Sequence, residues 1–166
     1  MIACGPLDRE HSKRPASLDY HCPNDMDDSV RRAIARWPNV PAVYGWLRLD
    51  RRGRWWVRTA GGEDERVMHR TAGTFQPITN PQIAAFIGRN YERDALGRYY
   101  FQNGPQRVFV ALDFTPYVYR LGDDRSALLA HTGAASGRIA GADFDESGAL
   151  VIEAALGPGV VVDRDL

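Results

Sequence analysis

The sequence predicts an α+β fold: mainly antiparallel β-sheet, or a partly open barrel, with two short helices laid against it. Three observations point there. Runs rich in β-branched and aromatic residues recur between Asp/Asn and Gly turns, the densest being Gly97 to Leu121, GRYYFQNGPQRVFVALDFTPYVYRL. Apolar residues at helical spacing occur twice, each time over a short stretch. From Tyr117 onward no helical periodicity survives, so the last third reads as strands.

At 166 residues the chain is one domain or two small modules sharing a core. A chain of this length buries roughly two thirds of its unfolded surface and needs no metal or disulfide to fold. Its 21 basic and 21 acidic residues balance, which argues against a general nucleic-acid or anionic-membrane binder. Lys13 is the single lysine, so the positive charge is nearly all guanidinium, which stacks on aromatic rings and forks onto carboxylates. Cys4 and Cys22 both lie near the start and read as free thiols of a reducing compartment. The opening residues lack the apolar run of a signal peptide, and no window approaches a membrane span. The expectation is a cytoplasmic protein without membrane contact and without cofactor.

Residues 1 to 24 are polar and punctuated by proline, with too little apolar surface to offset the entropy of ordering, and are expected to be a flexible tail. A compact domain over 25–166 follows, divisible into sub-modules 25–79 and 80–166. Met26, Val30, Ala33, Ile34 and Trp37 mark the first helix, with Asn24 or Asp25 as cap, acids early, arginines late and Pro38 and Pro41 after it. Next, VYGWLRLDRRGRWWVRT predicts a hairpin turning at Asp50-Arg51-Arg52-Gly53. That turn sets Leu49 opposite Trp55, Arg48 opposite Trp56, Leu47 opposite Val57 and Trp46 opposite Arg58. Leucine, valine and Trp55 then face the core, while Trp46, Arg48, Trp56 and Arg58 form a ladder of guanidinium against indole on the other face.

The stretch 60–73 reads as a loop with a short strand near Val67 and Met68, and a strand runs from Thr74 to Ile78. Asn80-Pro81 opens the second helix, with Ile83, Phe86, Ile87 and Tyr91 as its apolar stripe and a stop near Asp94 to Gly97. Strands Arg98–Gln102 and Gln106–Asp113 are turned by Asn103-Gly104-Pro105. Further strands are expected at Tyr117–Leu121, Ala127–Thr132, Ala149–Leu156 and Val160–Asp163.

The string Asp-x-x-Gly-x followed by three apolar residues begins at Asp50, Asp94 and Asp145. Either one good turn has been used three times, or a helix-then-strands module has been duplicated. The stripe Ile83, Phe86, Ile87, the run Gly97-Arg98-Tyr99-Tyr100-Phe101 and the Val110…Pro116-Tyr117-Val118 stretch resemble a bacterial family of uncharacterised proteins. The resemblance implies two repeated small α+β modules and a role in signalling or regulation, and brings no catalytic residues with it. It spans Val43 to Leu166, and the run Gln102 to Gln106 departs from its pattern.

The local motifs argue against most chemistries. Thr132 to Gly137, TGAASG, imitates a dinucleotide loop, but the helix and further parallel strand that such a site requires do not follow. Asp143 to Gly148, DFDESG, matches the first half of a calcium loop, but Ala154 stands where the closing glutamate belongs, which favours a plain acidic turn. The four histidines are scattered, and His131 reads as a surface or half-buried residue rather than a general base. The favoured reading is therefore a non-catalytic binding or regulatory module for a protein or small ligand, with self-association compatible. Trp46, Arg48, Trp56 and Arg58 are its candidate surface, although packing of that face against the first helix through Trp37 is the stronger reading. The rival is an enzyme with His131, Asp143, Asp145 and Glu146 brought together in space, and calcium binding is a third and weaker one.

Overall fold

A computed structural model describes residues 26–59, 74–123 and 126–162. The expected tail, the cap candidates Asn24 and Asp25, and the loop 60–73 with its strand at Val67 and Met68 lie outside the described residues.

Helix α1 (Asp28–Arg36) carries Asp28 in its first turn and Arg36 in its last, as the macrodipole favours. Its N-cap is Asp27, whose carboxylate makes no cap but reaches Arg89 Nε at 3.2 Å and accepts from Asn90 Nδ2 at 3.3 Å. Strands β1 (Val43–Leu49) and β2 (Trp55–Arg58) pair in the expected register, Leu47–Val57, Arg48–Trp56 and Leu49–Trp55. The Trp46–Arg58 pair is not part of that register. Gly45, at φ 74°, bends β1 there. β3 (Phe75–Pro77) follows, then α2 (Pro81–Arg89). Asn80 caps α2 by accepting from the N–H groups of Gln82 and Ile83 at 2.9 and 3.3 Å, with Pro81 in the first turn. The helix stops at Asn90, earlier than Asp94, and Tyr91 opens a short strand, β4 (Tyr91–Arg93), instead of closing the helical stripe.

β5 (Tyr99–Asn103) and β6 (Gln106–Leu112) complete a six-stranded sheet in the order β3-β2-β1-β6-β5-β4. β7 (Tyr117–Leu121), β8 (Leu128–Ala130), β9 (Ile139–Phe144), β10 (Leu150–Ala154) and β11 (Gly157–Val161) form a second sheet, β8-β7-β11-β10-β9. Both sheets are open, so the barrel alternative is not the architecture. Among the described residues seven strand pairs are antiparallel and two, β1–β6 and β7–β11, are parallel.

The two sheets repeat one plan. A hairpin (β1–β2, then β7–β8) is followed by a three-strand meander (β4–β5–β6, then β9–β10–β11). The meander's last strand lies parallel to the hairpin's first. Asp94 and Asp145 turn the first bend of the two meanders, whereas Asp50 turns the first hairpin. The boundary between sheets falls between Leu112 and Tyr117, and strands from both sides of residue 80 share the first sheet. No helix accompanies the second copy among the described residues, so what repeats is strand order.

All three turns are built alike. Each aspartate accepts through Oδ1 from the N–H groups two and four residues on, at 2.8–3.0 Å: Arg52 and Arg54, Leu96 and Arg98, Ser147 and Ala149. Each closes on a glycine near φ 80°, Gly53, Gly97 or Gly148. The aspartate fixes the bend and the glycine takes the conformation that a Cβ resists.

One core lies between the sheets, with Leu47, Leu49 and Trp55 from the first hairpin, Ile87 from α2, Tyr91, Tyr99, Phe101 and Val108 from the meander, and Tyr117, Tyr119 and Ile152 from the second sheet. Its seam is aromatic. Tyr91 meets Trp55, Tyr99 and Tyr117 with ring centroids 5.3, 5.4 and 5.7 Å apart, separations at which edge and offset contacts add to burial. Tyr91 Oη donates to Pro116 O and Tyr119 Oη to Gly157 O, so these hydroxyls are satisfied in the interior. The first hairpin's turn closes the seam from the side. A Cβ on Gly53 would lie 2.7 Å from His131 Cβ and 3.2 Å from Val118 Cβ, and Arg120 Nη2 donates to Arg52 O at 2.7 Å.

These turns supply an internal control. Gly148 has the same conformation but nothing within 4 Å of an added Cβ. Gly148→Ala is expected to cost about 1 kcal/mol, the left-handed penalty alone, and Gly53→Ala roughly 3 kcal/mol, because overpacking against the second sheet adds to it. Urea denaturation midpoints compare the two, and equal losses would show that Gly53 is not a contact between the sheets.

Candidate functional site

Alternation along the first sheet gives it two faces. Leu47, Leu49, Trp55, Phe101 and Val108 face the core, and the outer face carries Trp46, Arg48, Trp56, Arg58, Phe75, Tyr100 and Phe109. α1 does not cover that face through Trp37, which is 56 % exposed. The helix instead ties its N-terminus to Asn90, whose Oδ1 accepts from Asp27 N–H at 3.0 Å and whose Nδ2 donates to Phe86 O at 2.9 Å. Asn90 is fully buried, and no local sequence pattern marks it for this task.

Arginines cover the outer face. Arg98 lies 4.5 Å over the Phe109 ring and Arg107 4.8 Å over Tyr100. Arg54 lies 5.5 Å from Trp56, and Arg48 5.7 Å from Phe75. Arg48 and Trp56 are opposite each other in the register, as expected across the hairpin, and each also meets a further neighbour, Phe75 for Arg48 and Arg54 for Trp56. Most of these cations are also neutralised. Arg48 forks onto Asp113 at 2.5 and 2.7 Å, Arg54 bonds Asp50 at 2.8 Å, and Arg98 bonds Asp94 at 2.7 Å. Trp56 Nε1 also donates to Asp50 Oδ2 at 2.9 Å. Burial alone would raise the Asp50 pKa, but the donors from Arg54, Trp56 and Arg52 outweigh it and hold the carboxyl below its usual value.

Two aromatic side chains on that face remain open. Tyr44, 59 % exposed, stacks flat on Phe109 with centroids 4.6 Å apart, and Trp46 is 44 % exposed. Sequence reading found Trp46 but not Tyr44, because the bulge at Gly45 hides which way the start of β1 faces.

The rival constellation does not assemble. His131 lies at the seam, its ring 5.1 Å from Trp55, 5.8 Å from Tyr91 and 6.1 Å from Tyr117. Its Nδ1 accepts from Val118 N–H at 3.4 Å, which leaves the proton of the neutral ring on Nε2. Burial lowers the imidazole pKa to about 3, helped by the Arg120 charge and opposed by Asp50. Asp143, Asp145 and Glu146 lie instead on the exposed β9–β10 hairpin. Asp145 Oδ1 accepts from the N–H groups of Ser147 and Ala149 and from Ser147 Oγ, all within 2.8 Å. That carboxylate is occupied by its own turn, as the acidic-turn reading expects. No group of three or more His, Cys, Asp or Glu among the described residues is placed to hold a metal ion. The stretch after Gly137 is strand β9, not a helix, so the Thr132 to Gly137 loop has no helix N-terminus to present to a pyrophosphate. An open cavity of about 250 Å³ lies beside His131, lined also by Arg120, Asp123 and Gly133. The buried His131 Nε2 and Arg120 Nε, both without an acceptor among the described residues, belong to residues of that lining. No helix among the described residues is long and apolar enough to cross a membrane.

Fold and surface thus define a two-sheet α+β protein without an assembled reactive centre among its described residues. The DUF2944 family model, described as "Protein of unknown function (DUF2946)", matches residues 26–166, and the chain belongs to this family. It is also similar to the crystal structure of a DUF1285 family protein from Silicibacter pomeroyi DSS-3, with 19 % identity and a TM-score of 0.49 over 80 % of this chain and 70 % of that one. No curated protein matches.

The placement of His131 predicts an acid-sensitive fold. Its folded pKa lies below the unfolded value of 6.5, so the unfolded chain binds the proton more readily. The stabilisation is complete above pH 6.5 and is lost as pH falls toward 3, by at most about 1.4 kcal/mol per pH unit. Unfolding free energies should therefore fall between pH 6.5 and 4.5, before the carboxylates titrate. His131→Phe should flatten that slope, and a slope unchanged in the variant would contradict the assignment.

Proposed function

We propose that this protein is a non-catalytic recognition module that docks a partner protein on the outer face of its six-stranded sheet. The observation carrying this reading is the exposed pair Tyr44 and Trp46, two large aromatic side chains on a face whose arginines are largely paired. Aromatics that present apolar area at low entropic cost are the usual anchors of protein interfaces. Pairing of Arg48, Arg54 and Arg98 with Asp113, Asp50 and Asp94 leaves little surplus charge for a polyanion and suits an uncharged, apolar partner surface. An enzymatic reading has less support, since the candidate base His131 is held neutral at the seam and the candidate acids lie on a solvent-facing hairpin.

The test is affinity capture from a lysate of the source organism with the wild-type chain and with Tyr44→Ser/Trp46→Ser. Both positions are exposed, so the variant should keep its melting temperature within a few degrees. A protein retained by the wild type, then purified and titrated, should bind the variant more than about tenfold more weakly. Equal affinity for both chains would refute the docking face.

One observation favours a second reading, a small oxyanion in the cavity beside His131, where two buried N–H donors have no acceptor among the described residues. Titration with acetate, followed by the imidazole ¹⁵N shift of His131, decides it. A saturable shift that Arg120→Gln abolishes supports the site, and no shift dismisses it.

A further inference from the structure

Among the described residues, Arg120 Nε and His131 Nε2 are the buried side-chain donors left without a hydrogen-bond partner. Both belong to the hairpin of the second sheet, Arg120 in β7 and His131 directly after β8. They are also the two polar side chains by which that sheet holds the Asp50–Gly53 turn. Arg120 Nη2 donates to Arg52 O at 2.7 Å, and a Cβ on Gly53 would lie 2.7 Å from His131 Cβ. Each side chain therefore has one part on the junction between the sheets and one donor to spare.

The spare donors set the sign of a coupling. An unsatisfied buried donor disfavours the arrangement that buries it, because in a more open one water takes the missing place. Lifting the turn away from Val118 and His131 removes the backbone that lies against both side chains and admits water. An acceptor in the cavity of about 250 Å³, which both residues line, removes the same penalty with the turn in place. The seated turn also organises the donors. Arg52 O fixes the guanidinium, while Val118 N–H, donating to Nδ1 at 3.4 Å, and the Trp55 ring fix the imidazole. A ligand that needs both donors at once thus has a higher affinity for the closed junction than for the open one.

We propose that a carboxylate bound in this cavity locks the turn of the first hairpin onto the second sheet, so that occupancy sets how tightly the two sheets are joined. The inference rests on the oxyanion reading of the cavity and adds its consequence. Guanidinium Nε and the neutral imidazole Nε2 both donate, so the occupant presents acceptors alone, as an ionised carboxylate does. The lock reaches beyond the seam. Asp50, at the start of the turn, accepts from Trp56 Nε1 at 2.9 Å and Arg54 Nε at 2.8 Å on the outer face of the first sheet. By linkage, whatever seats the turn more firmly strengthens carboxylate binding by the same factor.

The three like turns supply the control. Gly53, Gly97 and Gly148 N–H each donate to the carbonyl of their own turn's aspartate at 2.9–3.0 Å, and of the three Gly53 alone has its nearest neighbours in the other sheet. Amide hydrogen exchange of the full wild-type chain, followed by NMR at constant pH and ionic strength with sodium acetate as the probe, tests the lock. Acetate at about ten times the dissociation constant read from the His131 ¹⁵N shift should slow exchange of Gly53 N–H about tenfold. Gly97 and Gly148 N–H should exchange at unchanged rates. A saturable His131 shift with Gly53 exchange unaltered, or with equal slowing at all three turns, overturns the lock and leaves the anion site standing. Absence of any His131 shift overturns both.

Discussion

A missing Cβ joins the two sheets. The turn Asp50 to Gly53 belongs to the first hairpin, yet its glycine rests on Val118 and His131 of the second sheet at distances no other residue could occupy. Around that contact the other interactions fall into place: Arg120 donates to the carbonyl of Arg52, His131 packs against Trp55, and the Arg51 guanidinium lies 4.4 Å from the ring of Phe114 in the connection between the sheets. The aspartate that shapes the turn also receives Trp56 and Arg54, so one carboxylate sets the bend, anchors an indole and positions the face that meets the second sheet. Local turn chemistry has become a tertiary contact.

That double use explains which parts of the fold were legible in the sequence. The turns were, because aspartate and glycine at fixed spacing carry their own backbone chemistry, and the register of β1 on β2 followed from the first of them. The cap at Asn80 was legible for the same local reason. The parallel contacts of β1 with β6 and of β7 with β11 were not, since a pairing between Leu49 and Leu112 is encoded only in the hydrophobicity of both strands. β4 and β9 were missed for opposite reasons. Tyr91 fits a helical stripe as well as a strand, and Ile139 to Phe144, lying on an uncovered edge, has no inward set of residues to produce alternation.

The candidate surface shows how a chain rich in arginine and poor in lysine solves a packing problem. On the outer face of the six-stranded sheet guanidinium groups lie on rings, and several of them are held by carboxylates. Arg98, held by Asp94, lies over Phe109 and Arg107 lies over Tyr100, and the two rings are only 7 % and 4 % exposed. Sequence reading identified the residue types but assigned the partners within the hairpin, whereas Asp113 and Phe75 come from other parts of the chain. What the arginines leave open, Tyr44 and Trp46, is then a feature of the surface rather than a remnant of poor packing.

The repeated plan places β4 and β9 in equivalent positions, each the outermost strand of a meander turned by the same aspartate–glycine bend. They differ in what happens beyond the edge. β4 is three residues long and follows directly on α2, whose C-terminal Asn90 takes the N–H of Gln102 with its carbonyl and so ties the helix end to the neighbouring strand. The second copy has no helix among the described residues, and its outer strand is twice as long and wholly exposed. Duplication of a strand plan without duplication of its covering helix leaves one copy with an edge that its own chain does not close. Backbone groups on such an edge have two alternatives, water or another strand, and the low charge of β9 does little to favour the first.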